Sequence, residues 1–287
     1  VVEATEEHTA TVIWLHSVGD SGGYENLPET LDMPWCRFVF PSARVRPVTL
    51  HGFIHEPSWF DIAKIDEKGV VQDAGGLRLS TRQIARLIDN EVVARGIKPE
   101  RIVLAGFGQG GVVALNCALQ HKRRLAGVVA LSTWFQPSDG LQVSPEAVGL
   151  PALICHGNAD VFIPPKLGRL AKEWLAKHGL HTAFKGYDMM GHAFCPTELD
   201  DVHKFMMQVL PHNDSRPELP TWMEALARVK ARGLLGITKW QTRSLVLSDG
   251  CLQCYRIGQG TLVSSFDLTE FVALSGPDNA LIMRRRG

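Results

Sequence analysis

Apolar residues follow two alternating patterns along the chain as far as residue 210. In some segments they form short unbroken runs, which are typical of strands buried on both faces. In others they recur every three or four positions, as they do along one face of an amphipathic helix. The patterns predict strands over residues 11–15, 38–40, 102–105, 125–131 and 152–155, and helices over 77–94, 167–175 and 199–209.

Buried strands that alternate with helices imply a mostly parallel sheet, because a parallel connection has to cross back over the sheet and usually does so as a helix. Such a sheet is covered by helices on both faces. We therefore expect an α/β fold. The 287 residues of the chain are enough for one large domain and a smaller one.

The alternation stops at residues 211–220, where three prolines lie among polar residues. Such a stretch is typical of a linker or of a loop that closes a domain. Beyond it, short apolar runs at 244–247 and 251–255 flank a Ser-Asp-Gly turn, which predicts a β-hairpin. Helical periodicity is absent after about residue 232. The predicted organisation is a first domain over 1–212, a linker over 213–224 and a small β-rich unit over 225–287.

Composition and charge exclude several classes of function. The chain has 30 basic and 30 acidic residues, so no net field favours nucleic acid. No apolar run reaches the roughly 20 residues that cross a membrane, and no stretch typical of a secretory leader opens the sequence. Six cysteines do not suggest a disulfide framework, and Cys251-x-x-Cys254 lacks the second pair of a zinc site. We expect a cytoplasmic protein without a metal or cofactor.

The strongest chemical signal is the sequence GFGQG at residues 106–110. It follows the apolar run 102–105 and precedes a helical stretch, as the G-x-S-x-G nucleophile elbow of serine hydrolases does. Gly108 takes the place of the serine, and because glycine has no hydroxyl it cannot form an acyl-enzyme. By itself the pentad is equally compatible with a plain glycine-rich turn. A phosphate-binding loop fits less well, since no Lys-Ser/Thr pair follows.

Two further residues complete the order of a hydrolase triad. Asp160 ends the sequence CHGNAD after a predicted buried strand, and His192 lies in the sequence GHAFCP before the last predicted helix. Taken singly, the aspartate is an ordinary turn residue and the histidine an ordinary loop residue. Together with Gly108 they stand in the α/β-hydrolase order of nucleophile, acid and histidine. Asp160 would then orient the imidazole of His192 and offset its charge.

Four segments within about residues 10–210 resemble the acyl-protein thioesterase and carboxylesterase family of α/β-hydrolases. Residues 15–20 (LHSVGD) are similar to the family's L-H-G-L-G-D oxyanion loop, and residues 41–49 (PSARVRPVT) to its P-x-A-P-V-R-P-V-T segment. Residues 57–62 (PSWFDI) are similar to its P-S-W-F-D stretch, and residues 106–111 (GFGQGG) to its G-F-S-Q-G-G elbow. The resemblance implies an α/β-hydrolase fold with a mostly parallel central sheet.

The resemblance also implies a function. Family members hydrolyse thioesters or esters of fatty acyl chains, so the expected partners are a fatty-acylated protein, a lysophospholipid or a small acyl ester. The same resemblance implies that the backbone N–H groups of Val18 and Gln109 stabilise the oxyanion. Without a serine at position 108 we expect negligible hydrolysis. The alternative is a pseudoenzyme that binds acyl groups or acylated proteins without cleaving them, since binding and bond cleavage use different atoms.

The chain departs from the family pattern at three of these positions. Gly108 replaces the serine, Ser17 replaces a glycine beside an oxyanion donor, and Arg44 stands where the family has proline. Ser17 and Ser21 lie on the oxyanion loop, but neither follows a strained elbow that would aim it at His192. The sequence therefore does not predict a relocated nucleophile.

Residues 225–287 resemble part of a pleckstrin-homology domain. The stretch 239–252 (KWQTRSLVLSDGCL) is similar to the second and third strands of such a domain, although Gln241 stands where the pattern has Lys or Arg. One hypothesis is weak phosphoinositide or membrane-surface contact through this unit. The other is a half-domain that packs on the hydrolase or carries only solvated charge. The side chains that would attract phosphate are those of Lys230, Arg232, Lys239 and Arg243.

Overall fold

A computed structural model describes residues 1–20, 24, 26–138 and 140–212 with their side chains. Beyond residue 212 it describes the backbone of six strands, which lie at 223–232, 238–248, 251–256, 262–267, 271–275 and 281–285. The chain divides into two compact units, Val1–His212 and Asn213–Gly287.

The described part of the first unit contains ten strands and five α-helices. The strands are β1 (Ala10–Leu15), β2 (Cys36–Val39), β3 (Val45–Val48), β4 (Ile54–Pro57), β5 (Ile62–Asp66), β6 (Gly69–Gln72), β7 (Ile102–Phe107), β8 (Gly127–Leu131), β9 (Pro151–Gly157) and β10 (His181–Tyr187). The helices are α1 (Leu27–Leu31), α2 (Ala74–Arg95), α3 (Gln109–Gln120), α4 (Pro165–Lys177) and α5 (Pro196–Val209). Among the described residues, none of these helices is long and apolar enough to cross a membrane.

Six of the described strands form one parallel sheet in the order β10-β9-β8-β7-β1-β2. In this sheet β1 lies directly beside β7, and their register pairs Leu15 with Gly106. The carboxyl ends of parallel strands meet at one edge of a sheet, where ligands of open α/β folds bind. The loops after β1, β7 and β9 are therefore brought together although they are far apart in the sequence.

Both faces of the sheet are buried. Ile102 and Leu104 of β7 belong to one hydrophobic core and Val103 and Ala105 to a second, because successive side chains of a strand point to opposite faces. Residues of α2, α3 and α4 complete the first core, and residues of α1 and α5 complete the second. Burial on both faces explains why this strand is an unbroken apolar run in the sequence.

The predicted α/β-hydrolase fold with a mostly parallel sheet is confirmed for the first unit. The predicted strands and helices are present, with shifted bounds; the predicted strand 125–131, for example, is β8 (Gly127–Leu131). The sequence patterns did not predict β10 or the hairpins β3–β4 and β5–β6. These strands are partly exposed, so they carry no unbroken apolar run.

The second unit is described only as backbone strands: β11 (Met223–Arg232), β12 (Thr238–Ser248), β13 (Cys251–Arg256), β14 (Leu262–Asp267), β15 (Phe271–Ser275) and β16 (Leu281–Arg285). Strands β11 to β14 pair in chain order and β15 pairs with β16. Most of the predicted linker 213–224 and the Asp-Gly of the predicted turn lie outside the described residues, as do the side chains of the four basic residues. The pleckstrin-homology-like architecture and the phosphoinositide contact stay predictions.

Candidate active site

Gly108 occupies the sharp turn between β7 and α3. Its backbone angles are φ +52° and ψ −118°, a conformation that glycine adopts without penalty and that costs a residue with a side chain on the order of 1–3 kcal/mol. The turn is held by two short contacts: the Gly108 N–H donates to Leu131 O at 2.9 Å, and the Thr133 hydroxyl donates to Gly108 O at 2.6 Å. The structure thus places Gly108 at the strand-to-helix turn that the sequence predicts.

A close approach between backbones completes the turn. A Cβ atom on Gly110 would overlap the carbonyl oxygen of Leu15 and would lie 2.6 Å from that of His16. Both carbonyls belong to the end of β1 and the loop after it. The first turn of α3 therefore packs directly on this loop, and only a glycine fits between them.

Asp160 and His192 meet at the same edge of the sheet. Asp160 follows β9 and His192 follows β10, and His192 Nδ1 lies 2.8 Å from Asp160 Oδ2. Since an ionised carboxylate only accepts, this contact assigns the proton to Nδ1 and leaves Nε2 free to act as a base. Nε2 lies 3.5 Å from the position that a Cβ atom on Gly108 would take. The imidazole is therefore aimed at the point where a side chain on residue 108 would begin.

Asp160 is buried and surrounded by donors. The backbone N–H groups of Phe162 and Ile163 each donate to Oδ1 at 2.9 Å, and His156 Nε2 lies 3.4 Å from Oδ2. Burial by itself raises the pKa of the Asp160 carboxyl, but the hydrogen bonds from His156 and His192 outweigh it and hold the pKa well below its usual value. Asp160 therefore stays ionised at neutral pH, as the acid of a triad must.

His156 also contributes to the site, although the sequence motifs do not predict a role for it. Its side chain is fully buried, and Nε2 lies 2.9 Å from Ile163 O. A carbonyl oxygen can only accept, so Nε2 carries the proton and faces both this carbonyl and Asp160 Oδ2. The signal was present in the sequence CHGNAD, where the histidine stands four residues before the acid.

The two residues expected to donate to an oxyanion, Val18 and Gln109, both line the same cavity. Gln109 is the first residue of α3, and the N–H of a first helical residue has no intrahelical partner. Within the described part of the chain, the N–H of Val18 donates to no backbone carbonyl. Both N–H groups are thus available to an oxyanion at the helix N-terminus, which favours negative charge.

The loop that carries Val18 is anchored at several points. His16 Nδ1 lies 2.6 Å from Ser17 O, and the Ala43 N–H donates to His16 Nε2 at 2.9 Å. Burial lowers the pKa of His16, which keeps its ring neutral and able to accept the bond from Ala43. The Gly19 N–H donates to Pro57 O at 2.9 Å. The loop is therefore positioned by fixed contacts with the segments around it.

The Ser17 side chain occupies the space beside Gly108. A Cβ atom on Gly108 would overlap Ser17 Oγ and would lie 3.2 Å from Ser17 Cβ. Ser17 is buried, with 8% of its surface exposed. Arg44, the third departure from the family pattern, is exposed and is not among the residues of the site. The structure thus links two of the three departures, at positions 17 and 108, to the same small volume.

A cavity of about 490 Å³ opens onto these residues. Its polar end contains Ser17, Val18, Gln109 and His192. Its remaining walls are mainly apolar and are formed by side chains that include Leu50, Ile62, Ile65, Phe107, Trp134, Phe162 and Ile163. Such a cavity suits an apolar ligand that presents a carbonyl group at one end. The described residues contain no cluster of His, Cys, Asp or Glu side chains suited to a metal ion.

The fold and this site together define a class of protein. A parallel sheet with an elbow after β7, an acid after β9 and a histidine after β10 is the arrangement of an α/β-hydrolase. Within that class, residues 1–210 match the family described as Phospholipase/Carboxylesterase. The chain belongs to the phospholipase/carboxylesterase family, as the sequence motifs predict.

Individual relatives agree with this assignment. Acyl-protein thioesterase 1 of Gibberella zeae is 35% identical over 224 residues, which cover 74% of this chain and 95% of that protein. Acyl-protein thioesterase 1 of Mycosarcoma maydis is 35% identical over 221 residues, covering 71% and 92%. The crystal structure of Zea mays acyl-protein thioesterase 2 is similar with a TM-score of 0.65 at 32% identity, covering 73% of this chain and 97% of that one.

Proposed function

We propose that this protein is an acyl-protein thioesterase- or carboxylesterase-like hydrolase whose site takes thioesters or esters of fatty acyl chains, carried by an acylated protein, a lysophospholipid or a small acyl ester. Because Gly108 replaces the serine nucleophile, its hydrolysis through residue 108 is negligible. The relatives' names point to acyl-protein substrates. The observation that carries the proposal is the apolar cavity that ends at the Asp160–His192 pair. An acyl chain in this cavity would place its carbonyl carbon beside His192 and its carbonyl oxygen near the N–H groups of Val18 and Gln109.

The loss of hydrolysis follows from Gly108. Removal of the nucleophile from a serine triad lowers kcat by about 10⁶-fold, and the remaining rate comes from the oxyanion donors and from binding. The apolar walls of the cavity do not depend on that atom. Acyl binding and acyl turnover are therefore separable properties of this site, and each needs its own measurement.

The binding test uses a peptide that carries an S-hexadecanoyl cysteine and a fluorophore, titrated with the full chain. Leu50 lines the cavity and Leu79 is 66% exposed on α2 away from it, so Leu50→Asp and Leu79→Asp form a matched pair. Leu50→Asp would set a carboxylate against the acyl chain and weaken binding roughly 10- to 100-fold. Leu79→Asp leaves the affinity within about twofold. Equal affinities of the two variants would refute the acyl-binding proposal.

A second candidate function is a pseudoenzyme that holds acyl groups or acylated proteins, and the absence of a side chain at position 108 favours it. The two candidates differ in the fate of the thioester. Mass spectrometry of the peptide after incubation with the protein distinguishes slow deacylation from retention of the acyl group. Deacylation no faster than in buffer supports the pseudoenzyme, and deacylation above that rate supports a slow hydrolase.

A further inference from the structure

Ser17 and Gly108 occupy equivalent places at the ends of neighbouring strands. The register of β1 and β7 pairs Leu15 with Gly106, and each of the two residues follows its paired residue by two positions. Neighbouring parallel strands end at the same edge of the sheet, so the residues that follow them start out side by side. The loop after β1 thus brings the Ser17 side chain to the place from which a residue at position 108 would act.

The Ser17 hydroxyl and the His192 imidazole both approach the position that a side chain on residue 108 would occupy. Ser17 Oγ overlaps the position of a Cβ atom on Gly108, and His192 Nε2 lies 3.5 Å from that same position. Ser17 and His192 both line the cavity. In the part of the chain that the structure describes, Ser17 Oγ makes no hydrogen bond. Rotation about the single side-chain torsion of Ser17 therefore breaks no existing hydrogen bond.

The backbone around Ser17 is also suited to acyl transfer. In a nucleophile elbow one oxyanion donor is the N–H of the residue after the nucleophile, which is Val18 when Ser17 attacks. The second donor, Gln109, keeps its place at the start of α3. The contacts from His16 and Gly19 hold the loop, so the hydroxyl and both donors lie on fixed backbone.

We propose that Ser17 is the nucleophile of this protein, acting with His192 and Asp160 in place of the serine absent from position 108. This inference rests on the proposed function, because it uses the same acyl site. Ser17 Oγ attacks the acyl carbonyl carbon while its proton passes to His192 Nε2. The carbon–sulfur or carbon–oxygen bond then breaks, and the leaving thiol or alcohol takes that proton. Water then attacks the carbonyl carbon of the Ser17 ester while one of its protons passes to His192 Nε2. The bond to Ser17 Oγ breaks, Ser17 takes that proton, and the carboxylic acid leaves.

Ser17 does not lie on a nucleophile elbow, and the expected rate reflects this. In the absence of a strained turn the hydroxyl has to rotate toward His192, and misplacement of a reacting group by about 1 Å costs roughly 10²-fold in rate. Hydrogen bonds of a catalytic site are often long in the free protein and tighten only when substrate is bound. We therefore expect slow acyl transfer at Ser17 that lies well above the rate in buffer.

The test is covalent labelling of the full chain with a fluorophosphonate, followed by mass spectrometry of the tryptic peptide that ends at Arg37. Attack by Ser17 breaks the phosphorus–fluorine bond and leaves a phosphonyl ester on Ser17. Ser17→Ala and His192→Asn should each reduce the labelling rate at least tenfold, the first by removing the attacking atom and the second by removing the base. The matched control is Ser144→Ala. The backbone N–H of Ser144 donates to Leu119 O near the opposite end of α3 from Gly108, so this serine lies away from the site.

The outcomes separate this inference from the proposed function. A phosphonyl group on Ser17 that depends on His192 supports it. Absence of labelling, labelling on Ser21 or another residue, or equal labelling of Ser17→Ala overturns it. Thermal melts of each variant test whether its fold is intact. If the hexadecanoyl peptide still binds while Ser17 stays unlabelled, the acyl-binding proposal stands and only the nucleophile assignment fails. If the peptide does not bind, the proposed function fails whatever Ser17 does.

Discussion

His192 Nδ1 lies 2.8 Å from Asp160 Oδ2, and Nε2 of the same ring lies 3.5 Å from the place of a Cβ atom on Gly108. The base and the acid are therefore assembled around an atom that residue 108 does not supply. This relationship allows the missing chemistry to be restored by substitution, and the position of Ser17 determines which substitution is needed.

Gly108→Ser together with Ser17→Gly should create an efficient esterase. The pair restores the serine and removes the hydroxyl that overlaps its side chain. Because loss of a triad serine costs about 10⁶-fold in kcat, we expect a gain of several orders of magnitude. Gly108→Ser alone should remain at least about tenfold less active than the pair, since Ser17 must first move aside. Hydrolysis of p-nitrophenyl acetate measures both.

Ser17→Gly alone is the control for this experiment, because it has neither hydroxyl. It should show no more than the small residual rate that the oxyanion donors and binding supply. A double variant that folds but is no more active than the parent would mean that more than the nucleophile has been lost. The serine at position 108 should also lower the free energy of unfolding by roughly 1–3 kcal/mol, because it restores a side chain at a positive φ.

Asp160→Asn should abolish most of the restored activity. An asparagine keeps the shape of Asp160, but it can stabilise the wrong tautomer of His192, and a comparable change in a serine protease lowers kcat by about 10⁴-fold. We expect a loss of about 10³- to 10⁴-fold in the Gly108→Ser, Ser17→Gly background. Asp188→Asn, an exposed substitution in the same loop as His192, should change kcat less than about threefold. Similar losses in both variants would contradict the assigned role of Asp160.

Gln109→Leu should destabilise the protein. The Gln109 side chain is fully buried; its Oε1 accepts from the Trp59 N–H at 2.8 Å and its Nε2 donates to Phe60 O at 2.6 Å. Leucine leaves the Trp59 N–H buried without a partner, at about 1–3 kcal/mol, whereas Phe60 O keeps the bond from the Ser58 hydroxyl at 2.6 Å. Urea denaturation should show a loss of roughly 1–3 kcal/mol. Gln120→Leu, at the exposed end of the same helix, should cost less than about 1 kcal/mol.

Glu198→Gln should flatten the pH dependence of stability. Burial raises the pKa of Glu198 from 4.5 to about 8, and the nearby N–H of Cys195 lowers it only in part. Neither carboxyl oxygen of Glu198 has a hydrogen-bond partner among the described residues. Between these two pKa values the unfolded chain loses a proton that the folded chain retains. The wild-type free energy of unfolding therefore falls as the pH rises from 4.5 to about 8.

Denaturation at several pH values measures this effect. The advantage of Glu198→Gln over the wild type should grow between pH 5 and pH 8 to a total on the order of a few kcal/mol. Glu173→Gln, an exposed change on α4, should run parallel to the wild type. A constant difference between Glu198→Gln and the wild type across this range would contradict the raised pKa.

Much of this protein can be predicted from local sequence patterns. Ile102 to Ala105 form an apolar run because β7 is buried on both faces, and the GFGQG pentad identifies the turn after it. The order of Gly108, Asp160 and His192 identifies the hydrolase class before any distance is known. Each of these signals lies within a few residues, where periodicity and turn chemistry leave a direct trace.

The relation between Ser17 and Gly108 was decided only by the tertiary structure. The two residues are far apart in the chain and meet because β1 and β7 are neighbours in the sheet, and parallel pairing between distant strands leaves no local trace in the sequence. The hydrogen bonds of His156 and the pKa of Glu198 likewise arise from burial among groups from other elements. The sequence by itself determined the family and the glycine at position 108; the packing of the sheet determined which side chain lies beside that glycine.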